Sequence, residues 1–357
     1  MINQMQPWIG EEEKRAVVEY MDSGGWLTEY QHTREFEQAI ANYVGSRYSS
    51  VVNNGTVSLF IALMALGIGA GDEVIVPDFT MIASANAVVL AGATPVLVDI
   101  DRATLCLDLA LAEQAITSRT KAIILVSING RAPDMSHAAA LAYVHGLFLV
   151  EDAAQALGSG WHGKHLGTFG HIGSFSFSVH KIITTGQGGA LVTDDDNLIE
   201  AIRKIKDFGR AKSGVDEHIA LGYNFKFTDL QAAIGLEQMG KLEWRVQRKK
   251  AMFALYRSEL ANVPEVSFVD THLDDTAPWF IDILVSDPLA LRDYLKKKGV
   301  GTRPFYPPVH TQSPYYLEAS YPNTEYISRH GLWLPSASSL DDITIKGICA
   351  EIGGFYR

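Results

Sequence analysis

Lys181 stands between an alternating run, Ser174-Phe175-Ser176-Phe177-Ser178, and a glycine-rich stretch, Thr184 to Gly189. A lysine is ordinarily a solvated surface charge. A lysine desolvated beside a cofactor can lose its proton and form a Schiff base with an aldehyde. The neighbouring glycines let the backbone pass close to a ligand. Asp152 follows an apolar run, Leu147 to Val150. Its plain role would be to cap a helix. Its chemical role would be to keep a pyridine ring nitrogen protonated, which a pyridoxal phosphate site requires beside its Schiff-base lysine. Gln155 lies three residues on and points the same way on a helix, within reach of a ring hydroxyl; otherwise it is a surface glutamine. Asn54-Gly55-Thr56 open a helix whose free N–H groups suit a phosphate, or serve only as its cap. Ser176, on the serine face of its strand, adds a hydroxyl to that phosphate or merely faces a loop.

These residues need elements to position them. Apolar runs over 73–76, 94–98, 122–126 and 147–150 read as buried strands. Helical stretches over 57–66, 82–91 and 138–145 lie between them. The alternation predicts an α/β domain with a mostly parallel sheet. Ligands bind at the carboxyl ends of such strands, where Asp152 falls. Residues 174–178 and 190–193 read as two further strands, joined by the connection that carries Lys181. Helices are expected over 11–21 and 34–43, and a long one over 242–259. After it come strands over 266–269 and 280–285 and a helix over 289–298. The expected division is a large α/β domain, 1–245, and a small α+β domain, 246–357.

The composition narrows the function classes. The 357 residues suit about two domains at ~150 residues each. Asp and Glu outnumber Lys and Arg by 41 to 30, a net charge of −11. With no basic run, this argues against nucleic acid or an anionic membrane as partner. Two cysteines, Cys106 and Cys349, suit a reducing cytoplasm. No signal peptide and no membrane-spanning apolar run is expected. The histidines show no metal-binding spacing, so no metal is expected. The glycines of 67–71 follow a helix and read as a stop and turn rather than a dinucleotide loop.

In order and spacing, several segments resemble the DegT/StrS type of pyridoxal-phosphate-dependent nucleotide-sugar aminotransferases. They are Gly25-Trp26-Leu27-Thr28 with Phe36-Glu37, Asn54-Gly55-Thr56, Gly71 to Pro77, and Glu151 to Gln155. Phe175-Ser176-Phe177 through Lys181 to Gly189, Gly222 to Lys226, and Arg303-Pro304 through His310 complete the set. The resemblance runs nearly end to end and implies the fold-type I aminotransferase architecture. It implies that Lys181 is the Schiff-base lysine, Asp152 the ring-nitrogen partner and Gln155 the ring-hydroxyl partner. Gly55, Thr56 and Ser176 match phosphate-binding positions. Asn224 matches an asparagine that reaches the phosphate of a neighbouring subunit's cofactor, which implies a homodimer with shared sites.

Met81 stands where the family often stacks an aromatic ring on the cofactor, and a thioether can pack there too. His180, Gln187 and Asn129-Gly130-Arg131 also depart from the commonest forms. Lys181 argues against the 3-dehydratase branch, which carries histidine there. Thr28, Lys226, Arg303 and His310 are the candidate substrate contacts. The implied reaction is transamination from L-glutamate to C4 of a nucleotide-linked 4-keto-6-deoxy sugar. The Arg303 segment is similar to perosamine-synthase-like members, which favours a GDP-linked sugar over a dTDP analogue. A 3-keto-sugar or cyclitol aminotransferase, or a non-catalytic binding or regulatory protein of the same fold, are the alternatives.

Overall fold

Short β-rich runs between helices assemble into a seven-stranded sheet. The computed structural model describes residues 1–357. In spatial order the strands are Tyr48–Val52, Gly189–Thr193, Ile172–Ser176, Phe148–Asp152, Thr120–Val126, Glu73–Pro77 and Thr94–Val98. Only Gly189–Thr193 runs against the others. Period-two alternation sends Val74, Val76, Ile124 and Val150 into the apolar layer on one face. Ile75, Ile123, Leu125 and Leu149 enter the layer on the other. Both faces are covered, as a mostly parallel sheet requires. The edge strand Tyr48–Val52 has no counterpart among the expected strands, because Ser49 and Ser50 interrupt its apolar character.

The register brings the functional residues to one edge of the sheet. Val126 pairs with Asp152, which pairs with Ser174. Ser176 pairs with Gly189, which pairs with Val52. The same alternation separates the two neighbouring carboxylates. Asp152 faces the edge cleft, whereas Glu151 accepts hydrogen bonds from the N–H groups of Gly167, Phe169 and Gly170 at 2.5–2.7 Å. Asp99, the other carboxylate at a strand end, accepts from the backbone of Asn323 and Thr324 at 2.9 and 2.8 Å. It thereby holds the first turn of the helix Pro322–His330.

The helix Leu242–Glu259 leads to a second sheet of four antiparallel strands. These are Ser267–Phe268, Ile281–Leu284, Gly331–Leu334 and Arg303–Pro304. The first residues of the chain pack here as well: Ile2 bridges Val300, and the Gln4 amide donates to the Leu334 carbonyl at 3.3 Å. No helix is long and apolar enough to cross a membrane.

Residues 127–131, just beyond the strand Thr120–Val126, clamp the two sheets together. The Arg131 guanidinium forks onto Asp282 at 2.7 and 2.8 Å, and both groups are buried. Thr271 takes a further bond from Arg131 at 2.6 Å. Asn129 lies in the left-handed region (φ 54°, ψ 30°), which asparagine tolerates. Removing one partner of such a pair strands a buried charge. Asp282→Ala is therefore expected to cost ~3–5 kcal/mol, read as a lower urea midpoint. Arg131→Met combined with Asp282→Leu is expected to recover most of the loss.

Candidate active site

The strand Ile172–Ser176 and the residue after it obey the expected alternation: Phe175 and Phe177 are buried, and Ser174 and Ser176 face the other way. Ser174 meets the Ser58 hydroxyl on the helix Gly55–Ala65. Ser176 lies against Gly55, where an added Cβ would come within 2.9 Å of the serine Cβ. On the other side, a Cβ on Gly189 would sit 2.6 Å from the Asn54 carbonyl carbon. The two glycines thus let a strand pair and a helix N-terminus close on one small space. Asn54 caps the helix through Val57 N at 2.9 Å, leaving the first-turn N–H groups of Gly55 and Thr56 without partners in the chain. Free amides, a helix dipole and the Ser176 hydroxyl could together hold a phosphate.

Asp152 ends its strand buried. Its Oδ2 accepts from the Ser84 hydroxyl at 2.7 Å and its Oδ1 from the Ala154 N–H at 3.2 Å. No cation is hydrogen-bonded to it. Burial pushes its carboxyl above the usual range, while Ser84, Ala154 and the charge of Lys181 oppose the shift. A buried carboxylate in this position is complementary to a ring N–H⁺. Gln155 Oε1 accepts from the Asn129 N–H at 2.8 Å, so the amide's NH₂ end is left to donate. Met81 reaches this group through Ser84: the Ser84 N–H donates to the Met81 carbonyl at 3.2 Å.

Lys181 follows a turn closed by its own N–H to the Ser178 carbonyl at 2.9 Å. The Nζ lies 4.0 Å from the centroid of the Trp279 ring. Burial lowers its pKa to about 8; Asp152 opposes the shift and Arg303 adds to it. Arg303 is an exposed residue of the second sheet whose charge is felt at Lys181. Its guanidinium lies 5.5 Å from the Tyr306 and Trp333 rings.

The other candidates are placed differently. The His310 ring is buried, with Nδ1 on Asp78 Oδ2 at 2.7 Å, and its backbone N–H donates to Asp78 Oδ1 at 2.7 Å. It clasps the segment that carries Met81. Lys226 pairs with Asp207 at 2.8 Å, and Asn224 bridges the same aspartate through its backbone. Thr28 and Asn224 are exposed, and none of Thr28, Asn224 or Lys226 is hydrogen-bonded to Lys181 within the chain. Ser84, Asn129 and Trp279 have roles in the cleft that the sequence reading did not assign. Only the spacing of Thr80 and Ser84, one helical turn apart and bonded at 3.0 Å, carried a local signal.

The sequence pattern of the DegT/DnrJ/EryC1/StrS aminotransferases matches residues 7–353. The chain belongs to this family. It is 38% identical to a GDP-perosamine synthase of Escherichia coli O157:H7, over 98% of this chain and 97% of the relative. Among solved structures it is similar to DesV of S. venezuelae, with a TM-score of 0.93, 34% identity and coverage of 97% and 95%. It also superposes on the PLP form of a putative sugar aminotransferase, Spr1654 of Streptococcus pneumoniae, at TM-score 0.92 and 27% identity, covering 98% and 97%. The fold is therefore the fold-type I α/β architecture, and the protein is a transaminase that uses pyridoxal 5′-phosphate. The cleft fits that cofactor. It offers an amine without a hydrogen-bond partner, a buried carboxylate without a counter-ion, and a cradle that a Cβ at Gly55 would fill.

The Lys181 amine attacks an aldehyde only when neutral, and it is protonated below about pH 8. Covalent uptake of pyridoxal phosphate by the cofactor-free chain should rise ~tenfold per pH unit up to that point and then level. Stopped-flow absorbance checks this, and Lys181→Ala should show no covalent uptake at any pH.

Proposed function

We propose that this transaminase moves the amino group of L-glutamate onto C4 of a nucleotide-linked 4-keto-6-deoxyhexose, with a GDP-linked sugar as the favoured acceptor. The similarity to the E. coli GDP-perosamine synthase over nearly the full length of both chains carries this reading. When bound, pyridoxal phosphate supplies the aldehyde that captures an amino group and a ring that takes up negative charge from the adjacent carbon. In this reading Lys181 Nζ, once displaced by the donor, would take the proton from Cα and return it two atoms along, to the carbon derived from the cofactor's aldehyde. Asp152 holds the ring nitrogen protonated. Gln155 donates to the ring oxygen, its orientation set by Asn129. Gly55, Thr56 and Ser176 bind the phosphate, and Met81 packs beside the ring. Arg303, an exposed cation whose charge is felt at Lys181, is the group for the donor carboxylate or the acceptor diphosphate.

A homodimer completes the proposal. Trp26, Leu27 and Leu221 are large apolar side chains left 52–70% exposed, and they flank Thr28, Asn224 and Lys226 in sequence. Covering them with a second copy would remove that apolar surface from water and bring those three residues to the neighbouring cleft. The product would be a 4-amino sugar for polysaccharide or glycoconjugate assembly.

Absorbance tests the reaction. The loaded protein should show a visible band that L-glutamate bleaches as the cofactor takes the amino group. GDP-4-keto-6-deoxymannose should restore the band, and a dTDP-linked analogue should restore it more slowly. A band that glutamate bleaches but only a 3-keto sugar or a keto-cyclitol restores would overturn the C4 assignment. A band indifferent to glutamate would overturn the choice of donor.

A further inference from the structure

Trp279 enters the cleft from the second sheet's side and touches the reacting amine. Its ring is held on several sides. The indole N–H donates to the His180 carbonyl at 2.6 Å. The Trp279 carbonyl accepts from Lys249 Nζ at 2.8 Å. The next residue, Phe280, is gripped by the Asn129 side chain, which accepts from its N–H at 2.5 Å and donates to its carbonyl at 2.8 Å. Phe280 also stacks on the indole, with centroids 3.8 Å apart. Trp279 is buried, and its partners come from distant parts of the chain, at His180, Lys249 and Phe280. Its ring face, 4.0 Å from Lys181 Nζ, is electron-rich and attracts an ammonium.

We propose that Trp279 is a catalytic residue of this transaminase, whose ring face holds the Lys181 amine whenever that amine is not bonded to the cofactor. The inference rests on Lys181 being the lysine that bonds pyridoxal phosphate. A freed lysine side chain has many rotamers, and most would carry its nitrogen away from the carbon whose proton it must move. The nearby His180 carbonyl accepts the indole N–H and has no hydrogen bond from Lys181 Nζ. The charged and titratable groups around Lys181 are Asp152, Arg303, its neighbour His180, and Tyr306 beyond them. Asp152 is reserved for the ring nitrogen, and Arg303 repels an ammonium. The indole is the neighbour that favours the protonated amine without competing for the cofactor.

The test uses the full-length chain stripped of cofactor, so it reads the amine directly and needs no turnover. Acetylation of Lys181 by acetic anhydride is followed against pH by peptide mass spectrometry in the native chain, Trp279→Leu and Trp279→Phe. Leucine keeps apolar cover but removes the ring face. The labelling midpoint is expected to fall by ~0.5–1 pH unit, so labelling at pH 7 speeds up roughly three- to five-fold. Phenylalanine keeps a ring and is expected to lie close to the native profile. A Leu profile that superposes on the native one, or shifts upward, overturns the proposal. A Phe profile as low as that of Leu also overturns it, by assigning the effect to the lost indole hydrogen bond. If Trp279→Leu does not fold, Trp279→Met takes its place. Failure of the transamination reading would appear in the absorbance experiment and would leave this labelling comparison intact.

Discussion

Asp152 is a carboxylate buried at the end of a central strand, and the site is arranged around the cost of putting it there. Ionising a carboxyl away from water is unfavourable unless hydrogen bonds or an opposite charge compensate. Ser84, the Ala154 N–H and the more distant charge of Lys181 compensate in part, and the carboxyl remains pushed above its usual range. A protonated ring nitrogen would supply the missing counter-charge. The strand order makes this possible, because the carboxyl edge gathers the helix N-terminus at Gly55, the Ser176–Gly189 pair and the 127–131 clamp around one cleft.

Two lysines near this cleft have strongly lowered pKa values. Burial takes Lys249 down to about 7, lower than the value of about 8 for Lys181. On acidity alone Lys249 would be the better nucleophile at neutral pH. Its surroundings assign it another job. Its Nζ is fully buried and donates to the carbonyls of Trp279 and Ser336, tying the helix Leu242–Glu259 to the second sheet. Lys181 has a ring face and no acceptor on its nitrogen, and it feels the charges of Asp152 and Arg303. Access and neighbours, more than basicity, make Lys181 the candidate nucleophile.

Much of this cleft was legible in the sequence because its signals are local. The Ser/Phe alternation put Ser176 on the correct face, and the apolar run ending at Asp152 put that carboxylate at a strand's carboxyl end. Neither signal depends on distant residues. Trp279 and Asn129 were not legible in the same way. Asn129 acts through Phe280, 151 residues further along the chain, and a tryptophan at the head of an apolar strand reads simply as core. Alternation also separated Glu151 from Asp152, and Asp99 proved to be a cap for a distant helix. His310 was named for its position in a segment, yet burial commits its Nδ1 to Asp78. Thr28 and Asn224 are exposed and Lys226 is ion-paired to Asp207, so a single chain does not join them to Lys181.

The most direct measurement is where the cofactor attaches. Protein loaded with pyridoxal phosphate is reduced with borohydride, which locks the lysine–cofactor bond as a stable secondary amine, and the digested chain is mapped by mass spectrometry. The pyridoxyl phosphate should be found on the peptide carrying Lys181, with none on that carrying Lys249. Attachment at Lys249 or another lysine, or undiminished attachment in Lys181→Ala, would contradict the assignment on which the rest of the site is built.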